Sequence, residues 1–179
     1  GADGQLYGTT LVGGANNRGV IYRISTAGDH EVVYSFPKLA EFRDGIPVNS
    51  TGANPRAGMM LSADGNFYGT ASQGGEFGHG TLFRMSPEGQ VSVVHAFGGP
   101  YFGGSTPLAA PVQDAAGNFY GTTLYGGPYH AGTAWRISPE GEFTLLHGFT
   151  GSFSDGHGPY AGVLLANGTL YAVSYSDSS

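Results

Sequence analysis

The sequence predicts an all-β fold of propeller-type, four-stranded antiparallel blades, about three of them in 179 residues. Three observations carry this expectation. One unusual stretch occurs three times, as "LYGTTLVGGANNRGVIYRIS" (residues 6–25), "FYGTASQGGEFGHGTLFRMS" (67–86) and "FYGTTLYGGPYHAGTAWRIS" (119–138). The composition joins 33 Gly to 11 Tyr, 11 Phe and one Trp, and disordered Gly-rich chains lack the aromatics that a core buries. Four short segments of strand character, separated by turn residues, recur in each copy, and no segment carries a 3.6-residue period.

The spacing is regular where a folded unit demands it. Tyr7, Tyr68, Tyr120 and Tyr171 mark successive copies, 61, 52 and 51 residues apart. The first three stand 29 residues before Phe36, Phe97 and Phe149. Phe36 and Pro55 are 19 apart, whereas Phe97 and Pro107, like Phe149 and Pro159, are 10 apart. The first unit therefore carries about nine extra residues, all within 37–54, which read as a surface loop beside a rigid segment. The whole chain reads as a single repeat domain, 1–179, with units at approximately 2–62, 63–114 and 115–166 and a partial one at 167–179.

Within a unit, strand one is "RAGMMLS" (56–62), with "PLAAPVQD" and "YAGVLLA" as its counterparts. Strand two is "NFYGT" (66–70), entered through the Asp64-Gly65 hairpin signal. Strand three, "TLFRMS" (81–86), leaves through Pro87-Glu88-Gly89. Strand four is "VSVVHAF" (91–97), in which Val91, Val93, His95 and Phe97 alternate with Ser92, Val94 and Ala96. The sum is about thirteen strands and essentially no helix. A β-solenoid coil is usually shorter, and a β-sandwich would not repeat its sequence.

These residues carry a resemblance. The pattern "DGNFYGT…GG…GTLFRMSPEG…VVHAF…PLA" resembles the GloVer-type tandem repeat of bacterial surface proteins, the choice-of-anchor tandem-repeat family, over roughly residues 2–173. The resemblance implies a propeller-like, exported, envelope-anchored protein and implies no reaction. Two departures stand out. Gly103-Gly104 takes the place of Asp44-Gly45 and Asp155-Gly156, and the fourth copy ends as "LYAVSYSDSS" without its Gly-Gly loop.

Composition narrows the function. Seven Lys+Arg against thirteen Asp+Glu give a net charge of −6, and a nucleic-acid binder needs a basic footprint. There is no cysteine, so disulfides and thiolate metal sites are excluded and the compartment stays open. No stretch reaches the roughly 18 apolar residues of a membrane span, and no basic region followed by an apolar run reads as a signal peptide. Nothing calls for a metal or a cofactor. The chain opens inside a repeat, which points to a mature product or a cut fragment.

The recurring residues read as architecture. Gly13-Gly14, Gly74-Gly75 and Gly126-Gly127 are turn glycines rather than phosphate cradles, which want a Lys and a helix. Arg23, Arg84 and Arg136, beside Tyr22, Phe83 and Trp135 on strand three, read either as a ligand-facing ring of cations or as bridges between neighbouring blades, and bridging is favoured. Tyr34, His95 and His147 share a strand-four position, where the tyrosine argues for packing with a polar tip over metal binding.

Function is expected where the copies disagree. The tips "ANNR" (15–18), "EFGH" (76–79) and "PYHA" (128–131) present Asn16, Asn17, Arg18, Glu76, Phe77, His79, Tyr129 and His130 at corresponding heights, as diversified binding loops do. Secondary candidates are the first connection, with Glu41, Arg43 and Asp44, and a rim of Tyr101, Phe102, Asp155 and His157. Exposed Tyr, Asn and Asp suit sugars.

The expected function is thus an extracellular or cell-surface binding or structural module, with polysaccharides or other glycans as ligand. The alternative is a carbohydrate-active enzyme, a glycosidase or lyase, using Asp44, Glu76 and Asp155 with His79, His130 or His157. No two carboxylates are forced together by sequence, and no Gly-x-Ser-x-Gly elbow is present. Since about three blades cannot surround an axis, self-association as a homo-oligomer or a longer natural chain is also expected.

Overall fold

The computed structural model describes residues 1–99 and 103–174. Among these residues there is no helix, and sixteen strands form five small antiparallel sheets. Sheet one is β1 (Leu6–Thr10), β2 (Val20–Ile24) and β3 (His30–Ser35) in sequence order. A separate hairpin of β4 (Glu41–Arg43) and β5 (Ile46–Val48) follows. Sheet two contains β6 (Ala53–Pro55), β7 (Met60–Leu61), β8 (Phe67–Gln73), β9 (Thr81–Met85) and β10 (Val91–Ala96), with β6 and β7 sharing one edge of β8. Sheet three is β11 (Val112–Gln113), β12 (Phe119–Thr123), β13 (Thr133–Ile137) and β14 (Phe143–Gly148). The last pair is β15 (Leu164–Ala166) with β16 (Thr169–Tyr171). The sheets do not close into a ring or barrel among the described residues.

Three local readings change. The 37–54 insertion is not plain loop: Asp44 and Gly45, at φ 50° and 79°, turn a hairpin there. Strand one is split, because the chain pairs with β8 at Ala53 and Pro55, leaves it, and returns at Met60. The period-2 alternation of strand four ends at a β-bulge, recurring at Val33, Val94 and Leu146, where the register jumps by one residue.

The Tyr-Gly-Thr triplet now has a physical explanation. The glycine lies opposite the strand-three aromatic, as Gly8↔Tyr22, Gly69↔Phe83 and Gly121↔Trp135. A Cβ on Gly69 would stand 2.6 Å from Cζ of Phe83, so only glycine lets the ring lie across the strand. The threonine hydroxyl donates to a carbonyl of the strand-one segment that leads into the next hairpin: Thr9 to Ala57 (2.8 Å), Thr70 to Ala109 (2.9 Å) and Thr122 to Ala161 (3.2 Å). The tyrosine hydroxyl donates to the aspartate of the turn that leads into its strand, Tyr7 to Asp3, Tyr68 to Asp64 and Tyr120 to Asp114, at 2.8 to 2.9 Å.

The core lies in two layers between sheets. Tyr7, Ile21, Val33 and Phe36 of sheet one pack on Phe67, Phe83, Met85 and Val91 of sheet two. Tyr68, Leu82, Val94 and Phe97 of sheet two pack in the same way on Phe119, Trp135, Ile137 and Phe143 of sheet three. The ring contacts repeat as well: Tyr7–Phe67 at 4.3 Å, Tyr68–Phe119 at 4.4 Å, Phe36–Phe83 at 5.4 Å and Phe97–Trp135 at 5.5 Å. Each sheet thus has a leading face, turned to the unit before it, and a trailing face, turned to the unit after it.

Candidate functional site

The three Gly-Gly loops share one backbone. The first glycine accepts from the glycine that closes the tip (Gly19 to Gly13, Gly80 to Gly74, Gly132 to Gly126), at 3.0 to 3.1 Å. The second accepts from Asn17, Gly78 or His130 at 3.2 Å. Those three residues have φ of 54°, 78° and 60°, a left-handed position that favours Asn and Gly, so tip composition is partly set by backbone. The last tip residue is a clasp to the segment that leads into the next sheet: the carbonyls of Arg18, His79 and Ala131 accept from Asn54, Thr106 and Gly158, each just before a proline.

Side chains at the tips divide accordingly. Asn16 is half-buried and donates to the Phe36 carbonyl at 3.0 Å, and Asn17 accepts from the Gly13 N–H at 3.0 Å. The His79 ring lies against Gly99, where a Cβ would stand 2.6 Å from its Cδ2, and burial lowers its pKa. Arg18 is half-buried, while Glu76, Phe77, Tyr129 and His130 are exposed.

The insertion brings two groups of candidates together. The β4–β5 hairpin lies along the second tip, with Arg43 Nη1 donating to Glu76 Oε1 at 3.0 Å and its guanidinium 5.5 Å from the centroid of Phe77. Asn49 anchors the arrangement: its Oδ1 accepts from the N–H groups of Gly52 and Gly75, and its Nδ2 donates to the carbonyls of Pro37 and Gly52. A concavity of about 340 Å³ opens between hairpin and tip, lined by Glu41, Phe42, Arg43, Asn49, Ser50 and Glu76 among others. Phe42, Asn49 and Ser50 were not picked out by sequence. The Asp44-Gly45 dipeptide between "EFR" and "IPV" is the hairpin signal that identifies them.

The remaining candidates sit elsewhere. Asp155 accepts from His147 Nε2 at 2.8 Å and from the Thr150 N–H at 2.7 Å; the backbone bond first, then the histidine, lowers its pKa. His157 is exposed near Gly151, while Tyr101 and Phe102 lie outside the described residues. Counting back from the proline, the counterpart of Asp155-Gly156 and Gly103-Gly104 is Thr51-Gly52 rather than the hairpin turn Asp44-Gly45.

That correction explains the strand-four position. Tyr34 bonds Thr51 (2.8 Å) as His147 bonds Asp155, whereas the unit carrying side-chain-free Gly103 has His95 bonded to the Gly141 carbonyl (3.2 Å) and stacked on Phe143. Arg23 and Arg136 stay within their own sheets: Arg23 pairs with cross-strand Glu31 (2.7 Å) and Arg136 donates to cross-strand Thr144 (3.2 Å). Among the described residues, no three His, Asp or Glu side chains group as a metal site, and no helix is long and apolar enough to cross a membrane.

The profile of the Gloeobacter/Verrucomicrobia repeat family matches residues 1–179, and the chain belongs to that family. No curated protein matches it.

Proposed function

We propose that this member of the Gloeobacter/Verrucomicrobia repeat family is an extracellular or cell-surface binding module with propeller-type blades, and that it takes glycans between the inserted hairpin and the second Gly-Gly tip. One observation carries the choice of site. The insertion folds back so that Glu41, Phe42, Arg43, Asn49 and Glu76 converge on one concavity. Sugar recognition uses apolar ring faces with a few placed amide, carboxylate or guanidinium groups, and this concavity offers both. Phe42 is 70% exposed, which leaves its ring face open to a pyranose. The propeller reading is supported by the repeated face-to-face stacking of antiparallel sheets. The surface location and choice-of-anchor character rest on the resemblance of the repeat.

A panel of immobilised polysaccharides, followed by calorimetry on the strongest binder, tests this. Phe42→Ala with Asn49 intact is expected to abolish binding while leaving the melting temperature unchanged. A chain that binds no glycan, or binds equally well without Phe42, overturns the proposal. The enzyme reading has one observation in its favour, since Glu41 and Glu76 line the same concavity. A glycosidase acid needs an apolar, buried carboxyl, whereas both groups are exposed and Arg43 grips Glu76. Hydrolysis that is lost in Glu41→Gln would restore that reading.

A further inference from the structure

Two faces built like the internal joints remain open to solvent. The leading face of sheet one presents Leu6, Tyr22, Ile24 and His30, the counterparts of Phe67, Phe83, Met85 and Val91. Leu6 is 61% exposed where Phe67 is 6%. The trailing face of sheet three presents Tyr120, Ala134, Leu146 and Phe149, the counterparts of Tyr68, Leu82, Val94 and Phe97. Leu146 is 44% exposed, and Phe149 is half-buried where Phe97 is 0% exposed.

The strands are complementary too. Sheet one has strands two to four of a blade and, among the described residues, nothing paired on the outer edge of β1, where β8 and β12 carry β7 and β11. After sheet three, a further strand-one segment is already docked. Thr122 donates to Ala161 and Gly158 donates to Ala131, as at the internal joints, and β15 follows. Among the described residues the three-residue β16 is the one strand beyond it, with Leu170-Tyr171 at the place of Leu6-Tyr7 and Tyr171 57% exposed. A concavity of about 750 Å³ lies between Tyr120, Leu146 and this last hairpin.

We propose that the chain associates head-to-tail with a second copy of itself, the leading face of β1–β3 seating on the trailing face of sheet three. In this joint Leu6 and Tyr22 of the incoming copy take the positions over Tyr120 and Phe149 that Phe119 and Trp135 take over Tyr68 and Phe97. β15 becomes strand one of the incoming sheet, and Leu6-Tyr7 replaces Leu170-Tyr171 beside it. The contact is heterologous, so it closes into a ring or runs on according to its rotation. The observation that selects a copy of this chain is continuity: the same positions, apolar on both open faces except for His30, already make two joints within the molecule.

Light scattering on size-separated chain tests the proposal with two variants, Leu6→Glu on the leading face and Leu146→Glu on the trailing face. The unmodified chain should run as two or more copies, shifting with concentration. Each variant alone should be monomeric, because two identical copies then lack either every head or every tail. An equimolar mixture should restore a two-copy species, built from the one intact head and the one intact tail. A monomeric unmodified chain would assign both faces to other repeats and overturn the proposal. So would a variant that still assembles alone, which marks a symmetric contact, or a mixture that stays monomeric. Unchanged melting temperatures certify folding, with Leu6→Ser and Leu146→Ser as replacements if a glutamate variant fails to fold.

Discussion

Phe119 and Leu6 hold the same position, one residue before the recurring tyrosine, yet Phe119 is 1% exposed and Leu6 61%. Trp135 and Tyr22 make the same pair one strand over, 0% exposed against half-buried. The hairpin to the next strand, the cross-strand partner and the glycine contact are alike in both places. Two things differ: the preceding sheet, and the edge strand β11, whose Gln113 pairs with Phe119 and which has no counterpart on β1 among the described residues. An apolar face in this repeat is therefore written for a neighbour, and its contribution to stability is a property of the joint, as in other stacked repeats.

The largest expected effect puts that comparison at risk. Trp135→Ala should cost about 3–5 kcal/mol, the usual range for emptying an aromatic site in a closed core. Tyr22→Ala, at the same position on an open face, should cost less than about 1 kcal/mol in dilute solution. Urea unfolding measures both. Equal costs would mean that the two faces are equally covered, and the contrast would fail.

A second experiment sharpens it through glycine. Gly69→Ala drives a Cβ into the ring of Phe83, which is 0% exposed and has nowhere to move. About 1–3 kcal/mol of overpacking is expected. Gly8→Ala meets the Tyr22 ring instead, and a ring on an open face can swing away. Its cost should be distinctly smaller by the same unfolding measurement.

The repeat makes much of this legible in the sequence. Four-strand units, turn glycines and the absence of helix follow from the 29-residue constancy and the period-2 segments. The bulge was hidden, because Val94 is as apolar as its neighbours and alternation cannot show which valine steps out of register. The site was only half visible. Glu76 and Arg43 are 33 residues apart, and nothing local tells a loop to lie back on a tip. Asp44-Gly45 signals the hairpin itself, but where it docks depends on Asn49 reaching four backbone groups at once.

pH tests a smaller difference, between a latched turn and an unlatched one. Burial opposes the Asp64 carboxylate, but hydrogen bonds from Asn66, Tyr68 and Ser62 outweigh it and lower its pKa from 3.8 to about 2. Its stabilisation is therefore complete above the ordinary value and is lost as pH falls towards 2. Burial, then the bond to Asp64, pushes Tyr68 up from 10.0 to about 12. That contribution is complete below 10 and fades as pH rises through 12. The fourth unit carries Asn167 in place of the aspartate, beside an exposed Tyr171. Asp64→Asn should flatten the acid limb of the urea midpoint against pH, whereas Asn167→Ala should leave it unchanged.

The smallest stability effect belongs to the hairpin that shapes the proposed ligand site. Arg43 and Glu76 approach to 3.0 Å, but their side chains are 51% and 59% exposed. Exposed pairs are screened and carry the entropy cost of holding two long side chains, so a double-mutant cycle of Arg43→Ala and Glu76→Ala should give a coupling below about 1 kcal/mol. Added salt should reduce it further. Unlike Trp135, which is held by a neighbouring sheet, this pair joins two surface elements whose backbones Asn49 already fixes. Glycan binding should respond far more strongly than unfolding, because the guanidinium, the carboxylate and the Phe77 ring lie in one contact group. A coupling of several kcal/mol would make the pair part of the fold's stability, and the hairpin would then rank with the internal joints rather than with the variable tips.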